Sequence, residues 1–159
     1  MFNIGDKIYH PKFGAGTIVN IEEREILKEI KRYYMIKFVI EGIEIMLPVD
    51  DNSYKKIRRV IEKEELETIF NKRSGSPKSL PPKWIDRLKL YESILSKGDP
   101  YEMADIIRDI NFLSQKKQLS KSEEKVLENF ILFLSSEISI VLNVSIDEGK
   151  QKIINNLLS

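Results

Sequence analysis

Apolar and polar positions alternate through roughly the first sixty residues, and a helical period takes over after Pro82. Lys7–Tyr9, Gly16–Arg24, Lys31–Phe38 and Ile43–Leu47 are rich in Ile, Val, Tyr, Phe and Thr and read as strands, with Ile57–Ile61 as a candidate fifth. Gly14 and Gly16 are expected to bracket a turn, and Gly42 to separate the third strand from the fourth. Pro48 closes the fourth strand, because proline cannot donate to a central ladder. Short strands at this spacing predict a small, strongly bent antiparallel sheet or barrel.

A helix is expected over Lys63–Lys72, followed by the breaker-rich stretch Ser74–Pro82. Beyond it, Trp84, Leu88, Tyr91 and Leu95 fall on one face of a helix that Gly98 ends. Asp99 then offers an N-cap, with Pro100 in the first helical position and Glu102 three residues past the cap. Ser120 with Glu123 makes a second cap signal for a long helix to about Asn143, and Ser145 with Glu148 a third for a final helix. The expected class is α+β, a β domain over residues 1–71 followed by an all-helical domain over 72–159. The first helix could belong to either side.

Composition narrows the chemistry. The chain has 159 residues, 42% apolar and 32% charged, and no cysteine, which removes disulfides and thiolate metal sites from consideration. The longest apolar run, about Phe130–Leu134, is far short of the roughly 20 residues a membrane span needs. The expectation is therefore a cytoplasmic protein. Net charge is +1, but Asn71–Lys97 holds seven basic residues against Asp86 and Glu92, so the remainder is net acidic. A local basic segment in a near-neutral protein points to one polyanion-facing patch, or else to a solvated linker and helix surface.

Catalytic machinery is not visible. The one histidine, His10, lies in Tyr9-His10-Pro11-Lys12-Phe13-Gly14 without a nucleophile or an orienting acid nearby, and reads as a turn residue. Glu22, Glu23 and Glu25 cluster, but consecutive residues of a strand alternate faces, so they read as a charged strand rather than a metal site. Gly14 and Gly16 lack the strand-to-helix context and further glycines of a phosphate loop. The sequence reads as a non-enzyme with no cofactor.

Several stretches, taken in order, carry a family resemblance. The opening Ile4-Gly5-Asp6-Lys7-Ile8-Tyr9-His10-Pro11-Lys12-Phe13-Gly14-Ala15-Gly16 resembles the start of CarD/CdnL proteins and of the polymerase-interacting domain of transcription-repair coupling factors. Tyr34–Phe38 and Ile45-Met46-Leu47-Pro48-Val49 are similar to two later strands of that family. Lys97-Gly98-Asp99-Pro100, Ile107-Arg108-Asp109 and Leu119-Ser120 with Glu123 are similar to its helical part. The resemblance covers nearly the whole chain. It implies a Tudor-like N-terminal domain that binds the RNA polymerase β subunit. It also implies a helical domain that touches promoter DNA at the upstream edge of the transcription bubble and changes open-complex formation or lifetime. A monomer is expected.

The resemblance also assigns residues. Arg24 aligns with a basic residue that contacts the β subunit; Met46 stands where some members carry arginine for the same contact. Trp84 aligns with a DNA-contacting tryptophan and Lys89 with a basic residue of the same helix; Lys83 and Arg87 flank them, while Asp86 stands where a positive charge is expected. In this reading Lys83, Arg87 and Lys89 hold phosphates and Trp84 wedges the minor groove or the last base pair. The spacing of Trp84 to Leu88 and Tyr91 equally fits a core tryptophan. The competing function is a two-domain protein–protein interaction module without DNA contact.

Overall fold

The computed structural model describes residues 1–49, 56–71 and 77–158. Strands β1 (Lys7–His10), β2 (Gly14–Ile26), β3 (Glu29–Phe38), β4 (Glu44–Pro48) and β5 (Arg58–Arg59) form one antiparallel sheet in the order β4-β3-β2-β1-β5. Helices α1 (Lys63–Asn71), α2 (Trp84–Lys97), α3 (Pro100–Lys116), α4 (Lys121–Leu142) and α5 (Ile146–Leu157) follow. This is the α+β layout expected from the sequence.

β2 and β3 are longer than their apolar alternation suggested. They run on as a ribbon to a hairpin whose loop, Leu27-Lys28, takes positive φ at both residues. Two such residues make the mirror-image turn that matches strand twist, the conformation glycine usually supplies. The β2–β3 register shifts between Ile18 and Asn20, and such an irregularity bends a strand.

The expected turn around Gly14 and Gly16 is displaced. The turn occupies residues 11–13, and both glycines lie inside β2. Their role is close approach. A Cβ at Gly14 would come 2.7 Å from Ile40 Cδ1 and 2.9 Å from Ser136 Oγ of α4. One at Gly16 would come 2.8 Å from the Lys37 carbonyl oxygen.

Alternation along β1 explains how the two parts of the molecule share a core. Ile8 points into a sheet cluster with Ile18, Tyr34, Ile36, Phe38 and Ile57. Tyr9, one residue on, points the other way and joins the helical cluster built around Met103, Ile107, Ile110, Phe130, Leu134 and Ile138. α1 packs against α4 and α5, and its Leu66 and Ile69 also enter the helical cluster. By packing, this helix goes with the helices although it lies inside the 1–71 segment.

Polar contacts fix the seam between sheet and helices. The Ala15 amide donates to Ser136 Oγ at 3.0 Å. Arg58 of β5 makes a two-pronged ion pair with the fully buried Glu137 of α4, at 2.6 and 2.7 Å. Two further bonds run from the same guanidinium to the Gly98 carbonyl at the end of α2, and it stacks 4.4 Å over the Tyr9 ring. The Ile61 amide completes Glu137 at 2.9 Å. A bidentate pair with its remaining valences filled holds geometry well, whatever its net stability.

Candidate polymerase-facing and nucleic-acid-facing surfaces

At its β2–β3–β4 end the sheet turns one face outward, and β4 lies at one end of the strand order. The register aligns Asn20 with Met35 and Met35 with Met46, and residues two apart on a strand share a face. Arg24, four residues beyond Asn20, therefore lies on the same side as Met46, two strands away. Arg24 is exposed and pairs with Glu22 at 3.1 Å; Met46 is half-buried. Glu23 pairs with Arg32 at 3.6 Å. Glu22 and Glu23 are thus engaged with neighbouring arginines. β4 forms the outer edge of the sheet among the described residues, with half its backbone groups unpaired by any strand.

On the helical side, the start of α2 divides within four residues. Lys83 is its N-cap and makes no side-chain cap bond. Trp84 opens the helix and is 36% exposed, and Ile85 beside it is 54% exposed. The core reading of Trp84 does not hold. Its ring leans on Tyr91 at 6.3 Å between centroids, with the Arg87 guanidinium 5.7 Å away, and the indole stays accessible. The buried stripe of α2 is Arg87, Tyr91 and Ile94. Relative to the stripe expected from Trp84, Leu88, Tyr91 and Leu95, the helix is rotated so that Trp84 sits on the flank.

Arg87 needs correction as a phosphate ligand. It is only 4% exposed and is spent inside the protein. Nε and Nη2 bond the two oxygens of Glu123 at 2.8 and 3.1 Å, and Nη1 donates to the Pro81 and Pro82 carbonyls at 3.1 and 2.9 Å. The Tyr91 hydroxyl donates to the same Glu123 at 2.6 Å. Burial pushes the Glu123 carboxyl up, but the bonds from Arg87 and Tyr91 outweigh it and hold it below the usual carboxylate range. Burial, reinforced by Glu123, raises the Tyr91 phenol well above its ordinary value. This trio fastens the Pro81-Pro82 approach and α2 to α4, and so sets where Trp84 projects.

Lys89 is exposed, five residues beyond Trp84. A cavity of about 480 Å³ opens beside the tryptophan, lined in part by Lys117, Gln118 and Ser122. Lys117 was not among the residues read from the sequence. Its signal was the pair Lys116-Lys117, one residue ahead of the Leu119-Ser120 cap, which only the turn between α3 and α4 brings to Trp84.

Residues 2–61 match the CarD-like/TRCF RID domain, and residues 67–154 match the CarD C-terminal domain. The chain belongs to the CarD family. It is also 34% identical, over 147 residues covering 91% of this chain and 95% of its relative, to a Bacillus subtilis (strain 168) protein named "Putative transcription factor YdeB". CarD-family membership places the chain among transcription regulators, not in an enzyme class. No single helix among the described residues is long and apolar enough to cross a membrane.

Proposed function

We propose that this CarD-family chain binds the RNA polymerase β subunit through its sheet and promoter DNA through α2, at the upstream edge of the bubble, modulating formation and stability of the open complex. The observation that carries the reading is the exposed Trp84, backed by a buried Arg87–Glu123–Tyr91 set and bordered by Lys83, Lys89 and Lys117. An accessible indole on a rigid mount, with cations around it, suits insertion beside a base step while phosphates are held. The lysines position the chain on DNA without reading sequence.

The polymerase side rests on the β4 edge and on the outward face that carries Arg24 and Met46. A free edge accepts a further strand, and side chains on the adjoining face give specificity. Met46 packs against the partner where an arginine would form an ion pair. No metal or cofactor enters this reading, and the acting species is a monomer in the cytoplasm, held near the nucleoid through the polymerase.

The test is co-purification with the β subunit. Arg24→Glu should weaken capture at least about tenfold, the loss of one charge-assisted contact plus a new repulsion. Its melting temperature should be unchanged, since Arg24 is exposed. Full capture by the Arg24→Glu protein would remove this face from the interface. An interaction module without DNA contact would instead show no salt-dependent DNA binding at all.

A further inference from the structure

The Tyr9-His10-Pro11-Lys12-Phe13 turn has properties that neither the polymerase-facing nor the DNA-facing surface uses. His10 is 6% exposed and packed against the rings of Phe13 and Phe38. Its Nδ1 accepts the Lys12 amide at 3.0 Å, which assigns the proton of the neutral ring to Nε2. Among the described residues Nε2–H donates to no protein group, which leaves a solvent-accessible donor, on an otherwise buried ring, at the edge of a cavity. That cavity, about 450 Å³, lies where the turn meets the C-terminal half of α2 and is lined by His10, Pro11, Lys12, Lys56, Glu92, Leu95 and Ser96.

We propose that this cavity is a binding site for a phosphate group. Lys12 and Lys56 supply two mobile point charges, and His10 supplies a fixed N–H donor on a side chain held by packing. Glu92 is the one acid in the lining, so the site keeps a positive excess. Lysines suit a tetrahedral phosphate, whereas a planar carboxylate is best gripped by an arginine fork, which the lining lacks. The volume falls within the range of small-molecule sites, and Pro11 and Leu95 give an apolar wall for whatever bears the phosphate. Burial, then Lys56 and Lys12, hold the His10 imidazole below its ordinary pKa, the field an anion would relieve. The phosphate belongs either to a free phosphorylated small molecule or to the backbone of bound DNA. The site shares no residue with the DNA-facing set, so it stands or falls separately from that reading.

Because His10 is the chain's one histidine, its ring signals in proton NMR report the site without labelling ambiguity. The full chain is titrated separately with inorganic pyrophosphate, with a short DNA duplex, and with sodium chloride at matched ionic strength. Pyrophosphate is expected to move the His10 signals saturably and to raise the His10 pKa by about one unit or more. The Lys12→Ala/Lys56→Ala protein, both positions being exposed, should keep its melting temperature and bind at least about tenfold more weakly. A response to pyrophosphate but not to duplex identifies a free phosphorylated ligand. A lysine-dependent response to duplex identifies the DNA backbone. Silence in both arms, an equal response to sodium chloride, or a response undiminished in the double variant would overturn the proposal.

Discussion

Lys83–Trp84 and Arg87–Tyr91 lie within the first turns of one helix and are alike in composition, each a basic residue with an aromatic one, yet they face opposite environments. The first pair is open to solvent. The second is closed around Glu123, with every charged contact made inside the protein. Cation and aromatic in sequence therefore do not identify a nucleic-acid surface by themselves. The buried pair does the mounting and the exposed pair is free for a partner.

The largest effect should come from breaking the mount. Arg87→Ala leaves Glu123 buried and unpaired, and truncating one side of such a pair costs roughly 3–5 kcal/mol. Thermal or urea unfolding of the full chain should show a large loss. A change within about 0.5 kcal/mol would mean that Arg87 is not buried as described.

Trp84→Ala is the matched substitution on the open side. A fully buried tryptophan would cost about 3–5 kcal/mol on truncation; at 36% exposure the loss should be well below that. Open-complex lifetime should nevertheless shorten while polymerase capture stays intact. An unchanged decay rate would leave Trp84 without the proposed wedge role.

Acid sharpens the contrast further. Glu123 has a folded pKa below its unfolded value of about 4.3, so its contribution is fully present above that pH and is lost as pH falls through the lower folded value. The stability gap between the natural chain and Glu123→Gln should therefore be widest above pH about 4.3 and close below it. Urea titrations from neutral to acid pH measure this. A gap that grows on acidification would reverse the assigned sign.

The smallest effect belongs to Lys89. Replacing it with alanine should leave stability unchanged and lower the salt slope of DNA binding by about 1, one phosphate's share. An unaltered slope would take Lys89 out of the footprint.

Where the sequence could be read and where it could not has a physical cause. Local signals sufficed for the helices. Asp99, Ser120 and Ser145 each cap a helix as expected, their side chains accepting from the amides of Tyr101, Glu123 and Glu148. The fate of the same Glu123 was not local. The motif Ser120-x-x-Glu123 suggests a carboxylate turned back on its own cap, but Arg87, 36 positions away, takes it into the core. Arg87 was read as solvent-facing for the same reason, since arginine gives no sign in sequence of a distant buried acid. The β2–β3 ribbon was underestimated because Leu27-Lys28 carries none of the glycine or asparagine that marks a tight hairpin. Strands that placed Arg24 and Met46 were legible; that the two share a face required the register.

Gly98 ties several of these threads to one position. It ends α2 in the left-handed conformation, its carbonyl is gripped by Arg58, and a Cβ there would lie 2.8 Å from the Tyr9 ring. Helix termination and the seam between sheet and helices thus meet at a residue with no room for a side chain. Sequence drift at positions 9, 58, 98 and 137 is expected to be coupled as a result: a bulkier residue at 98 calls for a smaller one at 9, and a new partner at 137 for a new one at 58. Lineages of this fold should exchange these four as a block, while the ribbon tip at Leu27-Lys28 varies freely.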